Sequence, residues 1–496
     1  MLKRVLLQAL LLAGIGVNVA LLLINLRPDR PHLRRRTQAK LLLRASEPRA
    51  KWMQQNELAE FCSDHDLDLE LVLAKDFDEV HDKLVEESKH PGGMLLADIE
   101  DEYSDDLRGE NAIRPIQDGA KPEEIAPALD EYLPEAVERS KVEGKVWFLP
   151  KRAQVDVIAF LQPAVEDAYL HWQEYRPAIE KALKEANGAG LPKNYELERS
   201  PESWDSFDLF VAAWNWAHRA ARWAEPVAAN PPPGAAAPPP IVRQRLAFRT
   251  GHGDDAVRDL VGAFYRHGLN PKDLRRPDAP AILDALQWRA LFRKHQLLAP
   301  ECEQPKGCDA FAVNQLLHDR VIAFAPVNQP DAFWIHGGAR RDADRGMRAP
   351  GDLVFAPEPA GVSLELDAKT GLPVRRGKTF SFEEIHLWAL PVHSPDPRLA
   401  WELARFLTQR GLQQRETEAQ GMLPIRKDLR ESYQVTFRLD WMQDVLHASY
   451  RQIFLGSGDL PDDLNEIDTG LLELRDRVLA QPGVTLDRIR EAARAR

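Results

Sequence analysis

Residues 40–99 alternate between strand-like and helix-like stretches, and this alternation limits the fold more than any other feature of the chain. KLLLRA (40–45), DLELVLA (68–74) and MLLADI (94–99) read as strands. KWMQQNELAEFCSDHD (51–66) and DFDEVHDKLVEESKH (76–90) read as helices, the second with Phe77, Val80, Leu84 and Val85 near helical spacing. A βαβαβ order calls for a parallel sheet with right-handed crossovers. Ligands of such open sheets bind beyond the carboxyl ends of the strands. Those ends carry Arg44 and then Asp98, Glu100, Asp101, Glu102 and Tyr103, an acidic run that reads for the most part as a solvated loop.

EGKVWFLPKRAQVDVIAF (143–160) raises a different problem. Two apolar runs of β-branched and aromatic residues are parted by Lys151, Arg152, Ala153 and Gln154. A single buried strand is not expected to carry two cations at its middle, and a hairpin would want Gly or Asn there. The two runs read as two strands, and what the cations do between them stays open on the residues alone.

Beyond this point helical patterns dominate. QPAVEDAYLHWQEYRPAIEKALKEA is one, and ESWDSFDLFVAAWNWAHRAARWA is another, capped by Ser203 or Asp205. Its aromatics Trp204, Phe207, Phe210, Trp214 and Trp216 read as core. A Pro-rich insertion (226–244) cannot pack and reads as an exposed excursion. RLAFRT (245–250) is a strand, followed by GHGDDAVRDL at the start of a helix. The glycines there are too few for a dinucleotide turn, and Asp254 and Asp255 would repel a pyrophosphate. VIAFAPV and HLWALPV are further strands.

The chain has 496 residues, enough for two or three domains. Its net charge of −12 argues against nucleic acid as a partner. Residues 5–26 contain no charge and are long enough to span a bilayer, with Lys3 and Arg4 before them. No small-residue cleavage site follows, so an uncleaved anchor is favoured over a cleaved signal peptide. Residues 27–40 read as a Pro/Arg-rich stalk. Their arginines would hold the body in the cytoplasm by the positive-inside rule. Cysteine use points the other way: Cys302 and Cys308, six apart in CEQPKGC, can close a small disulfide in an oxidising compartment, the alternative being two free thiols. HExxH, GxSxG, GxxxxGK[ST] and CxxC are all missing, and neither cofactor nor metal is expected.

Several stretches resemble the extracellular solute-binding proteins of ABC importers, the large class that includes maltose-binding protein. MLLADIEDE followed by IRPIQD is similar to one segment of that family. YLPEAVERSKVEGKVWFLPKRAQVDVIAFLQPAVEDA and PESWDSFDLFVAAWNWA are similar to two more. SPDPRLAWELARFLT with GMLPIRKDL carries the most specific likeness. These stretches stand in the family's order from about residue 41 to 430. The resemblance implies an α/β, two-lobed periplasmic-binding-protein-like fold with hinge strands, and residues 5–26 place one N-terminal transmembrane helix before it, a departure from the family. After the anchor and stalk (1–40), the first lobe would take 41–152 and 383–424, and the second 153–382 and 425–496.

The implied activity is capture of a small solute, with carbohydrate the leading class, by closure of the lobes and without catalysis. The solute would pass to ABC permease subunits, with the body in the periplasm or outside the cell and the membrane held through residues 5–26. By matching position, the ligand-binding candidates are Arg44, Asp101 and Tyr103 on the first lobe and Arg152 and Gln154 at the crossing. Arg249 and His252 follow RLAF, Gln329 and Trp334 lie in APVNQPDAFWI, and Glu384 and His386 lie on the return strand; Trp388 reads as part of its sheet. Where relatives carry a Gly-Gly pair before this last segment, the chain has Glu383-Glu384-Ile385. With the anchor, this departure leaves a sensor or structural envelope component as the alternative.

Overall fold

The computed structural model describes residues 36–219, 244–336 and 353–430 apart from 252, 253 and 305, and further on 432, 445, 447–448, 453–456, 464–481 and 483–494. The proposed anchor (5–26), most of the stalk, nearly all of the Pro-rich insertion and His252 lie outside these residues. No helix among the described residues is long and apolar enough to cross a membrane.

The expected parallel unit is present. Strands β1 (Thr37–Arg44), β2 (Leu67–Ala74) and β3 (Met94–Glu100) run parallel in the order β2-β1-β3. Leu41, Leu42 and Leu43 are all buried, as expected of a central strand covered on both faces. Because β1 begins at Thr37, the last residues assigned to the stalk belong to the sheet. Helix α1 (Glu47–Met53) continues through a π-helical turn (Gln54–Leu58) before a short α-helix (Ala59–Asp64). Asp76 caps α2 (Phe77–Lys89), its carboxylate accepting from Glu79 N at 2.9 Å.

With β4 (Ile113–Arg114), β5 (Phe148–Leu161), β6 (Arg245–Leu246), β7 (Ile322–Asn328), β8 (Leu353–Ala356), β9 (Phe380–Pro391) and β10 (Ile453–Gly456), the sheet's main path is β2-β1-β3-β9-β5-β7-β6. Most of the further pairings are antiparallel, the exceptions being β6 with β7 and β10 with β9. Strand β9 lies antiparallel to both β3 and β5. RLAFRT supplies only the two residues of β6 as strand, whereas HLWALPV extends back to Phe380.

The break expected at Lys151-Arg152 is not there. Strand β5 runs unbroken for 14 residues, and Lys151 and Arg152 are buried within it. Its first half, with Phe148, Leu149 and Ala153, packs into one hydrophobic core together with β1–β3. Its second half, from Val155 to Leu161, packs into another. The chain crosses between the two cores inside a strand, and β9 crosses back beside it.

The second core holds α3 (Ser206–His218), α4 (Asp254–Arg266) and α5 (Pro280–Lys294). Asp205, and not Ser203, caps α3, accepting from Phe207 N at 2.9 Å and Asp208 N at 3.4 Å. Trp204, Phe207, Phe210, Trp214 and Trp216 are buried as expected, with Phe207 edge-on to Trp288 at 5.0 Å. Cys302 and Cys308 are joined in a disulfide, and the Cys308 carbonyl accepts from Thr250 N and Gly251 N. Asp396 caps α6 (Pro397–Leu407), which explains the SPDP start of that motif. Gly421 ends α7 (Arg410–Gln420) in the left-handed conformation, φ 70°, which favours glycine at the head of GMLPIRKDL.

Candidate ligand site between the two cores

Strand pairing assembles the site. In register, His386 of β9 stands opposite Glu100 of β3 on one side and Arg152 of β5 on the other, and Glu384 stands opposite Gln154. Five polar residues from three strands thus meet where the parallel strands end, and Arg44 closes β1 at the same edge. Asp98, Glu100 and Asp101 are buried here, against the expectation of a solvated loop, and Glu102 is exposed.

Alternation along β5 explains how the strand tolerates its two cations, since adjacent side chains leave on opposite faces. Lys151 reaches Asp98 at 2.5 Å and lies 4.5 Å over the Trp388 ring. Arg152, 1% exposed, places Nη2 3.3 Å from His386 Nδ1 and Nη1 3.9 Å from Glu416 Oε1. Burial opposes ionisation of Asp98, yet the Lys151 ammonium, the neighbouring His386 and Arg152 together hold its carboxyl far below the ordinary range. Burial lowers Lys151 to about 8 against the pull of Asp98. Burial, and then Arg152, holds His386 well below its usual value, so its imidazole is neutral.

Gln154 Nε2 lies 2.6 Å from His386 Nε2 and 3.0 Å from Glu384 Oε2. The other Glu384 oxygen accepts from Arg258, which comes from α4 in the second core. The same guanidinium lies 3.3 Å from Glu102 and 3.7 Å from Glu100. Arg258 therefore ties the second core to the carboxylates of the first. Burial raises the Glu100 carboxyl in spite of it.

The remaining first-lobe candidates surround this group. Asp101 pairs with Arg139 and accepts from Ile385 N at 3.4 Å. The Tyr103 hydroxyl donates to Asp78 at 2.7 Å, and burial and that hydrogen bond raise its phenol. Arg44 is exposed, its guanidinium 5.9 Å over Phe77, whose ring lies 5.0 Å from His386.

Glu100, Glu384 and His386 each offer an atom within 4.8 Å of the others, a spacing a metal ion could use. Arg258 and Gln154 already occupy Glu384 and His386, and Lys151 and Arg152 add positive charge nearby, which disfavours a cation.

Among the described side chains of the second-lobe candidates, Arg249 and Gln329 do not join the cluster. Arg249 is buried in a two-pronged pair with Asp156, at 2.9 and 3.2 Å. Gln329 is buried and donates to the Gly421 carbonyl. Trp334 sits on the helix Gln329–His336, with its side chain outside the described residues. Arg258 and Glu416 were missed by sequence reasoning, as were Arg49, which pairs with Glu416, and Glu57 on the π turn. A π turn carrying a buried acid could have pointed to Glu57, but only the backbone reveals it.

No family model matches the sequence, and no curated protein matches it. Solved structures do match over most of the chain. A maltose-bound MalE3 from Thermotoga maritima aligns with TM-score 0.63 and 14% identity, covering 92% of this chain and 98% of that one. The chain has the fold of the two-lobed solute-binding proteins. The GacH receptor of Streptomyces glaucescens, solved unliganded and with acarbose, aligns at TM-score 0.61 and 13% identity, over 92% and 96%. An ABC transporter solute-binding protein from Agrobacterium radiobacter, solved with ribitol, gives 0.59 and 14%, over 92% and 97%. At such identities the likeness concerns architecture: two α/β lobes joined through shared strands.

Proposed function

We propose that this protein is a membrane-anchored, extracytoplasmic solute-binding protein that captures a small solute by closing two lobes and delivers it to an ABC permease. Residues 41–152 with 383–424 form the first lobe, and 153–382 with 425–496 form the second. Arg258 carries the reading: one guanidinium of the second core seated on Glu100, Glu102 and Glu384 means the lobes meet through polar groups at the strand ends. A solute enclosed there exchanges those contacts for its own. Sugars and polyols are the first classes to try, because structures of the same fold hold maltose and ribitol. The apolar run 5–26 supports the anchor, and the Cys302–Cys308 bridge supports an oxidising compartment.

Thermal unfolding of the full-length protein against sugars, oligosaccharides and polyols tests this. A ligand at a hundredfold excess over its Kd adds about 2.7 kcal/mol to the folded state. A shift for one class identifies the solute. Silence across the panel favours a second reading, a sensor or structural envelope component. That reading draws on Glu383-Glu384-Ile385 standing where relatives carry glycines, with Glu384 already engaged by Arg258.

A further inference from the structure

Arg152 is left over when the buried charges of the hinge are paired. Lys151 takes Asp98 and Arg49 takes Glu416. Arg152 Nη1 stands 3.9 Å from Glu416, outside hydrogen-bond reach, and neither Nε nor Nη1 has a hydrogen-bond partner. Glu57 does not settle the account. Burial and the neighbouring Glu416 push its carboxyl up to about 8, so it keeps its proton at neutral pH. Glu100, buried on the neighbouring strand, is shared with Arg258, so Arg152 keeps no carboxylate within hydrogen-bond reach, and its guanidinium is 1% exposed. A buried charge in that position is costly unless an acceptor reaches it.

Its surroundings supply a second cation and a way out. His386 links Arg152 to Phe77, at 3.3 Å on one side and 5.0 Å ring to ring on the other. Arg44, exposed at the end of β1, lies 5.9 Å from the centre of the same Phe77 ring. We infer, building on the capture reading, that the first-lobe face of the cleft holds an anion subsite, formed by Arg152 with Arg44, for an oxyanion group on the captured solute. Planar guanidinium donors suit the paired oxygens of a carboxylate or a phosphate, and both remain open as its source. A neutral sugar hydroxyl would fill hydrogen-bond positions without balancing the charge.

Isothermal titration calorimetry on the full-length protein in detergent, with glucuronate, glucose 6-phosphate and glucose as probes, tests the subsite. At least one anion is expected to bind tenfold or more tightly than glucose; glucuronate in front assigns a carboxylate and glucose 6-phosphate a phosphate. Arg44→Gln, a change at an exposed position, is expected to cut anion affinity about tenfold and so to narrow the preference for the anion over glucose. Arg152→Gln is expected to abolish the anion preference, with a melting curve to show that it folds. Equal affinity for all three probes overturns the inference, as does an Arg44→Gln protein that keeps the preference. Binding of glucose with neither anion overturns the subsite and leaves solute capture standing. Absence of heat with these probes and with the neutral panel overturns both.

Discussion

Buried arginines in the second core and buried cations at the hinge meet the same problem with different results. In the second core each arginine has its own carboxylate: Arg249 takes Asp156 at 2.9 and 3.2 Å, Arg289 takes Asp259 at 3.1 Å, and Arg266 takes Glu358. Arg289 also lies 4.6 Å over the Phe248 ring. At the hinge Lys151, Arg152 and Arg49 share Asp98 and Glu416, and Arg152 is left with a histidine. One-to-one pairing locks a lobe in place. An uneven share, set where two lobes meet, leaves a group that a ligand can complete.

Asp98 should give the largest effect. Asp98→Ala leaves Lys151 buried without its partner and is expected to cost about 3–5 kcal/mol in urea unfolding. Asp98→Leu combined with Lys151→Met should recover most of that loss, because a pair replaced by apolar groups of similar volume is often neutral. A double variant no better than Asp98→Ala would mean that the carboxylate acts through more than Lys151.

The two arginines separate next. Arg249→Met strands Asp156 and is expected to cost about 3 kcal/mol. Arg152→Met removes a surplus charge and loses one histidine hydrogen bond, so about 1 kcal/mol or less is expected. Solute binding should respond in the opposite order, lost in Arg152→Met and retained in Arg249→Met. Equal stability losses would erase the distinction between the two regions.

Much of this architecture was legible in the chain. Helical spacing and β-branched runs placed β1–β3 and their crossovers, and the aromatics of α3 fell in a core as their pattern required. Of the residues named from family-like stretches, strand register sets Arg152, Gln154, Glu384 and His386 beside one another, and Arg44, Asp101 and Tyr103 lie around them. The failures share a cause. Lys151-Arg152 read as a break between two strands because local sequence cannot show that Asp98, 53 residues earlier, lies within 2.5 Å. Asp98 and Glu100 read as solvated for the same reason, and Arg249 read as a ligand group although Asp156, 93 residues away, claims it. Pairing across sequence distance decides whether a charge is structural, and a single sequence does not record that pairing.

A pH titration sharpens the contrast at Glu57. Its carboxyl, raised to about 8 from an ordinary value of 4.5, holds a proton in the fold over a range where the unfolded chain has lost it. The folded state then binds more protons between those limits, so its stability falls as pH rises from 4.5 to 8 and levels off above. The slope is at most about 1.4 kcal/mol per pH unit. Lys151 and His386 shift the other way, so the readout is the difference between wild type and Glu57→Gln, in which their contributions cancel. That difference should decline across the window; a flat difference would mean that Glu57 ionises normally in the fold.

Arg258 should give the smallest change in stability and the clearest change in shape. Its side chain is 23% exposed, so its ion pairs are screened by water and Arg258→Ala is expected to cost about 1 kcal/mol. If that energy acts between the lobes, it changes the ratio of closed to open forms about fivefold. Small-angle scattering without ligand should therefore give a larger radius of gyration for Arg258→Ala than for wild type, and about 0.5 M salt should move wild type part of the way. Glu79 and Lys83, a half-exposed pair at 3.0 Å within α2, provide the control: breaking it should leave the radius unchanged. Equal radii for Arg258→Ala and wild type would assign closure to the strands β5 and β9 themselves, and the carboxylates around Arg258 would then serve the solute alone.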